Sequence, residues 1–310
     1  MNRILVIRGG ALGDFMLTLP AIAALRAANP HAEIEMLGYK PIVELANNRF
    51  YVNGVRSIES ATLSRFFARN SELPTELENY FARFDLVISY LFDPDQIFET
   101  NLARCGLHQF VPGPAKILAG EHASRQLVRP IEQLGLKVES LAAKLYPSAN
   151  DRQFARDFLV TCPGPIIALH PGSGSEKKNW PLQNWISVGN RLLGSADFRG
   201  SLIVVAGEAD TIKTRQLKSI WSDSRVRFAE NMELPHLAAV LEDVIFVGHD
   251  SGTSHLAAGA GANSILLFGP TDPAVWAPVG NNVQVIRAPE GDLQQLDVEV
   301  VWRAINVPAR

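Results

Sequence analysis

Short apolar runs alternate with helical stretches from one end of the chain to the other. In the first half, Ile4–Ile7, Ile34–Leu37, Gly54–Ile58 and Leu86–Ser89 read as strands. A Gly-rich loop, Gly9–Gly13, follows the first of them. Pro20 suits a helix start, with the helix running over Ala21–Ala28 and stopping at Asn29-Pro30. In the second half, Ile166–Leu169, Ser201–Ala206, Val244–Val247 and Ser264–Phe268 read as strands. Leu182–Leu193, Asp210–Trp221, Leu234–Leu241 and Thr253–Ala260 read as helices, and the run 297–306 as a closing one. Strands alternating with helices predict parallel sheets covered on both faces. The polar turn Pro147–Asp151 marks a break, so the predicted domains are 1–152 and 153–310, with the closing helix packing back on the first. The expected fold is α/β: two doubly wound, Rossmann-like domains facing a cleft. Ligands of such sheets sit beyond the C-terminal strand ends. Arg8–Asp14 and His170–Lys178 directly follow strands and are expected to face that cleft.

Composition narrows the function. A chain of 310 residues with 47% apolar and 20% charged residues can build two soluble cores. Net charge is −3 and no basic run occurs, which argues against a nucleic-acid partner. Cys105 and Cys162 are isolated, outside any C-x-x-C pair, as reduced core residues would be. The apolar run at the N-terminus is too short for a signal peptide, and no stretch of about 18 apolar residues occurs. A cytoplasmic protein is expected, with peripheral contact to the inner face of the membrane left open.

Three constellations carry chemistry. In Arg8-Gly-Gly-Ala-Leu-Gly-Asp14, glycines let the backbone turn sharply and approach a ligand. The closing carboxylate suits either a general base or an N-cap or Asx-turn residue. A dinucleotide fingerprint is absent there: no G-x-G-x-x-G occurs, and Leu37-Gly-Tyr-Lys40 lacks the ribose-binding acid. In His170–Trp180, a strand enters a Gly/Ser loop (Ser173, Gly174) with two lysines. Backbone N–H groups, hydroxyls and an ammonium can hold phosphate oxygens, or the loop can simply be solvated. In Gly248–Ala258, Asp250-Ser-Gly-Thr opens a helix whose free N–H groups and dipole favour an anion. That helix start can also be merely well capped, with His255 satisfied inside the fold. Asp93-Pro-Asp95 matches the short Asp-x-Asp metal signature, but Pro94 favours a turn, so no metal and no other cofactor is expected.

Together, Gly-x-x-Gly-Asp after the first strand, Lys-x-Trp after the mid-chain strand, and Asp-Ser-Gly-x-x-His-Leu-Ala-Ala before Phe-Gly-Pro-Thr-Asp-Pro resemble the lipopolysaccharide heptosyltransferases, glycosyltransferases of the GT-B fold. The resemblance spans nearly the whole chain in the right order, and the last motif is the most specific. It implies metal-independent inverting transfer from a nucleotide sugar, ADP-heptose in that family, to a glycolipid acceptor of the lipopolysaccharide core. It makes Asp14 the base and Lys178 a donor-phosphate contact. Asp250, Ser251, Gly252, Thr253 and His255 become the donor loop, Met232 part of the nucleobase pocket, and Glu208 a ribose contact. Gly13, Arg65 and Arg69 fall on the acceptor side. The family members acting on the innermost core sugar carry a dense Arg/Lys cluster there. In Glu59–Arg69 only Arg65 and Arg69 are basic, which leaves the acceptor and the heptose open.

Four rival readings remain. A donor-binding protein without catalysis would bind nucleotide sugar and transfer nothing. A GT-B epimerase would need no acceptor. A scaffold would not require two Gly-rich loops and a His-bearing helix start. A GT-B transferase using another nucleotide sugar would keep the fold and change only the donor.

Overall fold

The apolar runs of the first half become neighbouring parallel strands. A computed structural model describes residues 1–305. The chain divides into two units, residues 1–141 and 142–310. In the first, β1 (Arg3–Arg8), β2 (Glu33–Gly38), β3 (Gly54–Ser57), β4 (Leu86–Ser89) and β5 (Phe110–Pro112) form a five-stranded sheet in the order β3-β2-β1-β4-β5. In the second, β6 (Ile166–His170), β7 (Ser201–Ala206), β8 (Val226–Glu230), β9 (Ile245–His249), β10 (Asn263–Phe268) and β11 (Val283–Arg287) form a six-stranded sheet in the order β11-β10-β9-β6-β7-β8. All pairings are parallel. Each order is doubly wound about its first strand. The topological switch points therefore lie between β1 and β4 and between β6 and β9.

Both faces of each sheet are covered, which is why the central strands read as unbroken apolar runs. Leu5, Ile7 and Val87 pack with Phe66, Phe81 and Phe98 in the first unit. Leu169, Val204 and Val247 pack with Trp180, Trp185 and Trp221 in the second.

Three expectations change. The first helix spans Leu12–Ala28, so Pro20 lies inside it instead of opening it. The missing N–H at Pro20 is tolerated because Phe15, Met16, Leu17, Leu19 and Ile22 are all buried around it. The division falls at 141/142, earlier than 152/153. The Leu145 N–H donates to the Gly259 carbonyl, and Ser148 caps the helix Ala149–Leu159, which packs on the helix Leu234–Val240. The closing helix, Val298–Ile305, places Val301 and Ile305 in the core of the second unit, not the first. Residue 306 of the predicted run lies outside the described residues.

Candidate functional site

In the first unit the site grows from the turn after β1. Gly10 sits at φ +100°, and a Cβ there would lie 2.7 Å from Asp14 Oδ2. Glycine is therefore required for Asp14 to reach back over the turn. Asp14 is the third residue of its helix, and its Oδ2 accepts from the Ala11 N–H at 3.0 Å. Its Oδ1 faces Arg8 Nη2 at 3.3 Å. The capping role and the exposed carboxylate are thus the same side chain, 37% accessible. Arg8 is buried at the end of β1, and its guanidinium lies 5.8 Å from the Tyr90 ring centroid. Burial lowers its pKa despite the neighbouring Asp14 carboxylate. The Tyr90 hydroxyl donates to the Leu127 carbonyl at 2.9 Å, and burial raises its pKa. Gly13 lies in the first turn of the same helix.

The predicted acceptor arginines are held apart from this turn's network. Arg65 reaches the Glu72 carbonyl at 3.4 Å. Arg69 is 71% exposed and faces Asp95 at 3.5 Å. Asp93 accepts from the N–H groups of Ile97, Phe98 and Glu99 at 2.9, 3.2 and 3.0 Å. Asp93-Pro-Asp95 is thus a helix cap followed by an ion-pair partner. Among the described residues, no group of three or more His, Cys, Asp and Glu could hold a metal ion.

In the second unit three strand-end loops converge. After β6 the chain turns through Gly172 and Ser173, whose hydroxyl donates to the Ser175 carbonyl at 2.8 Å. Gly174 is exposed beside it. A Cβ at Gly172 would lie 1.8 Å from Asp210 Oδ1, so this close approach requires glycine. Lys178 closes the loop, and its Nζ donates to Asp250 Oδ2 at 2.6 Å. Thr271, on the turn after β10, donates to the same oxygen at 2.8 Å. Asp250 thus ties together the loops after β6, β9 and β10. Ser251 caps the helix Gly252–Ala260, its Oγ accepting from the Ser254 N–H at 3.3 Å. Gly252 and Thr253 are half-buried in the first turn, and His255 is buried in the second. The helix N-terminus concentrates positive potential beside the Lys178 ammonium.

Two buried histidines hold these loops in place. The Trp180 N–H donates to His249 Nε2 at 2.8 Å, so the ring proton sits on Nδ1, 3.1 Å from the Gly172 carbonyl. Burial pushes His249 down to about 3, outweighing that hydrogen bond, and the ring is neutral. His170 lies between Ser251 Oγ (3.5 Å) and Asp210 Oδ2 (3.7 Å). Burial acts to raise the pKa of Asp210, but His170 and the Gly207 N–H hold it below the usual carboxylate range. Glu208 is exposed in the short turn before Asp210, and Met232 is half-buried just after β8.

The structure brings together Lys178, Asp250 and Ser251 within the second unit and builds Asp14 into the turn after β1. Arg8, Asp210, His249 and Thr271 support them but were absent from the sequence-based assignment. Arg8 and Thr271 stood inside the motifs, flanking glycine and proline turns. His249 also stood inside the Gly248–Ala258 segment, but its partners Gly172 and Trp180 are distant in the chain, as is His170 from Asp210.

Known proteins match the chain along nearly its whole length. The chain is 25% identical over 326 residues to lipopolysaccharide heptosyltransferase 1 of Escherichia coli K12, covering 98% of this chain and 99% of that one. A glycosyl transferase of family 9 from Veillonella parvula superposes with a TM-score of 0.79 at 19% identity, covering 98% and 95% of the two chains. E. coli heptosyltransferase WaaC, solved with ADP, superposes with a TM-score of 0.72 at 20% identity, covering 98% of each. No helix among the described residues is long and apolar enough to cross a membrane. The sequence model of glycosyltransferase family 9 (heptosyltransferase) matches residues 122–302, and the chain, with its two parallel-sheet units of GT-B type, belongs to that family.

Proposed function

We propose that the protein transfers heptose from ADP-heptose to a glycolipid acceptor of the lipopolysaccharide-core type, with inversion and without a metal ion. The convergence of three strand-end loops on Asp250 carries this reading. It fixes an ammonium beside a helix N-terminus, an arrangement suited to a diphosphate. WaaC has been solved with ADP and with ADP-2-deoxy-2-fluoro heptose, which supports the choice of donor.

In this reading Lys178 and the N–H groups near Ser251–Thr253 bind the donor diphosphate. An ammonium has three N–H donors, and Asp250 faces one of them. Ser173 and Gly174 border the phosphates, Glu208 the ribose and Met232 the adenine. His255 supports the helix start from within. Gly13, Arg65 and Arg69 border the acceptor.

The chemistry is a single displacement. An acceptor hydroxyl oxygen forms a bond to the anomeric carbon as the bond from that carbon to the diphosphate oxygen breaks. ADP leaves with the bonding electrons, stabilised by Lys178 and the helix dipole. Asp14 takes the hydroxyl proton. Arg8 and the Ala11 N–H each occupy one side of its carboxylate, and a carboxylate has about four acceptor sites, so it retains capacity for that proton.

Asp14→Asn keeps an acceptor for the Ala11 N–H and removes the base. Turnover of ADP-heptose should fall by about 10²–10⁴-fold with ADP affinity retained. Turnover within a few-fold of the parent would show that Asp14 is not the base. An absolute Mn²⁺ requirement would overturn the metal-free reading. Calorimetry giving tighter binding of UDP or GDP sugars than of ADP-heptose would change the donor.

A further inference from the structure

The crevice between β1 and β4 has a second wall that none of the motifs accounts for. The two strands are paired with Ile7 opposite Ser89, and their chains leave in opposite lateral directions. The Gly9–Asp14 turn lines one side. Leu91 and Phe92 line the other, with Leu91 Cδ2 3.2 Å from where a Gly9 Cβ would sit. Gly10 and Phe92 are each the third residue beyond the Ile7–Ser89 pair. Leu91, which packs on the Gly9 position of the turn that carries Asp14, is followed directly by Phe92.

Phe92 is 61% exposed, and the Lys116 ammonium lies 4.7 Å from its ring centroid. Leu118 beside them is 67% exposed. This is not a loose loop tip. The buried side chain of Gln126 accepts from the Leu118 N–H at 2.9 Å and donates to the Leu118 and Glu121 carbonyls at 2.7 and 2.8 Å. Gly113 packs so closely on Tyr90 that a Cβ would approach its ring to 2.4 Å. Buried groups therefore hold the backbone beneath an exposed ring and an exposed cation. Covering such a ring with a ligand would gain roughly 25 cal/mol per Å² of apolar area buried.

A phenyl face suits the C–H-rich face of a pyranose, and the ammonium beside it suits an acid group on the same sugar. The geometry points to Phe92 and Lys116 as an acceptor-binding element for an acidic saccharide. This rests on the reading that Asp14 receives the acceptor's proton, which places the acceptor at this strand end. A sugar fits better than an acyl chain, because the exposed ring is paired with a cation.

The test is calorimetric titration of the whole chain with a deacylated, heptose-free lipopolysaccharide oligosaccharide. The same oligosaccharide after carboxyl reduction and dephosphorylation serves as the neutral comparison. Phe92→Ala should raise Kd about tenfold for both forms, and Phe92→Tyr should restore it. Lys116→Met should raise Kd for the acidic form and leave the neutral form unchanged. ADP affinity should not move in any of these variants. The proposal is overturned if the parent does not bind the oligosaccharide, or if Phe92→Ala and Lys116→Met bind it as the parent does. It is also overturned if Phe92→Ala loses binding only to anionic phospholipid vesicles. Because the readout is binding, it separates from the catalytic reading. Weakened acceptor binding in Phe92→Ala with undiminished turnover in Asp14→Asn supports this element and removes Asp14 as the base.

Discussion

Lys178 Nζ and Asp250 Oδ2 stand 2.6 Å apart, although 72 residues separate them in the chain. The contact joins the loop after β6 to the loop after β9, the two strands that flank the switch point of the second sheet. It turns a flexible lysine into a positioned one. Thr271 fixes the carboxylate from a third loop, so the ammonium is held by a side chain that cannot easily swing away.

Lys178→Gln should therefore weaken ADP binding by roughly tenfold to a hundredfold, the worth of a charge-assisted hydrogen bond. Adenosine, which lacks the phosphates, should bind the variant as it binds the parent. Calorimetry with both ligands checks this. Equal loss for adenosine would mean that the loop had collapsed and that Lys178 does not contact phosphate.

Gly172→Ala should be among the most damaging single-methyl changes in the second unit. The added carbon would meet Asp210 Oδ1 at 1.8 Å, and Asp210 is itself held by the Gly207 N–H at 3.0 Å. The loop must move, and with it the Gly172 carbonyl that faces His249. A loss of about 1–3 kcal/mol in urea unfolding is expected, together with weaker ADP binding. Parental stability with parental ADP affinity would show that the loop yields without cost.

The sequence-based reading places residues at strand ends where the signal is local. Asp14, Lys178 and Asp250 each follow a buried apolar strand and a glycine or cap signal, so a few neighbouring residues suffice to place them. The edge strands β5, β8 and β11 escaped it. Val226-Arg-Phe-Ala-Glu230 and Val283-Gln-Val-Ile-Arg287 are partly exposed and mix polar with apolar residues, so they lack the unbroken run of a central strand. Pro20 misled it, since the apolar packing of the helix around it outweighs the one hydrogen bond that a proline cannot make. The pairing of His170 with Asp210, of Asp250 with Thr271, and of Phe92 with Lys116 depends on tertiary contacts that no spacing rule encodes.

Asp93→Ala should cost about 1–2 kcal/mol of stability, since the Asp93 carboxylate accepts from three backbone N–H groups at the start of the helix Ile97–Arg104. Turnover should be unaffected by EDTA in both the parent and the variant. Chemical denaturation and a transfer assay check the two halves. A variant of parental stability whose activity could be restored only by added Mn²⁺ would return Asp93-Pro-Asp95 to a metal-binding role.

His249 makes folding stability depend on pH with a definite sign. Its pKa is about 3 in the folded chain against 6.5 for an ordinary histidine. The unfolded state therefore binds the proton more readily between these values, and the stabilising neutral ring is fully present only above pH 6.5. As pH falls from 6.5 toward 3, this contribution is lost with a slope approaching roughly 1.4 kcal/mol per pH unit. His249→Gln keeps a polar side chain and cannot titrate. It should be less stable than the parent at pH 7.5, because the contact from Nδ1 to Gly172 and that from Nε2 to the Trp180 N–H cannot both be reproduced. It should also show a shallower decline in acid. Urea denaturation of both proteins from pH 7.5 to pH 4.5 gives the two slopes. Identical slopes would place the acid sensitivity in other groups and leave His249 as a structural tie alone.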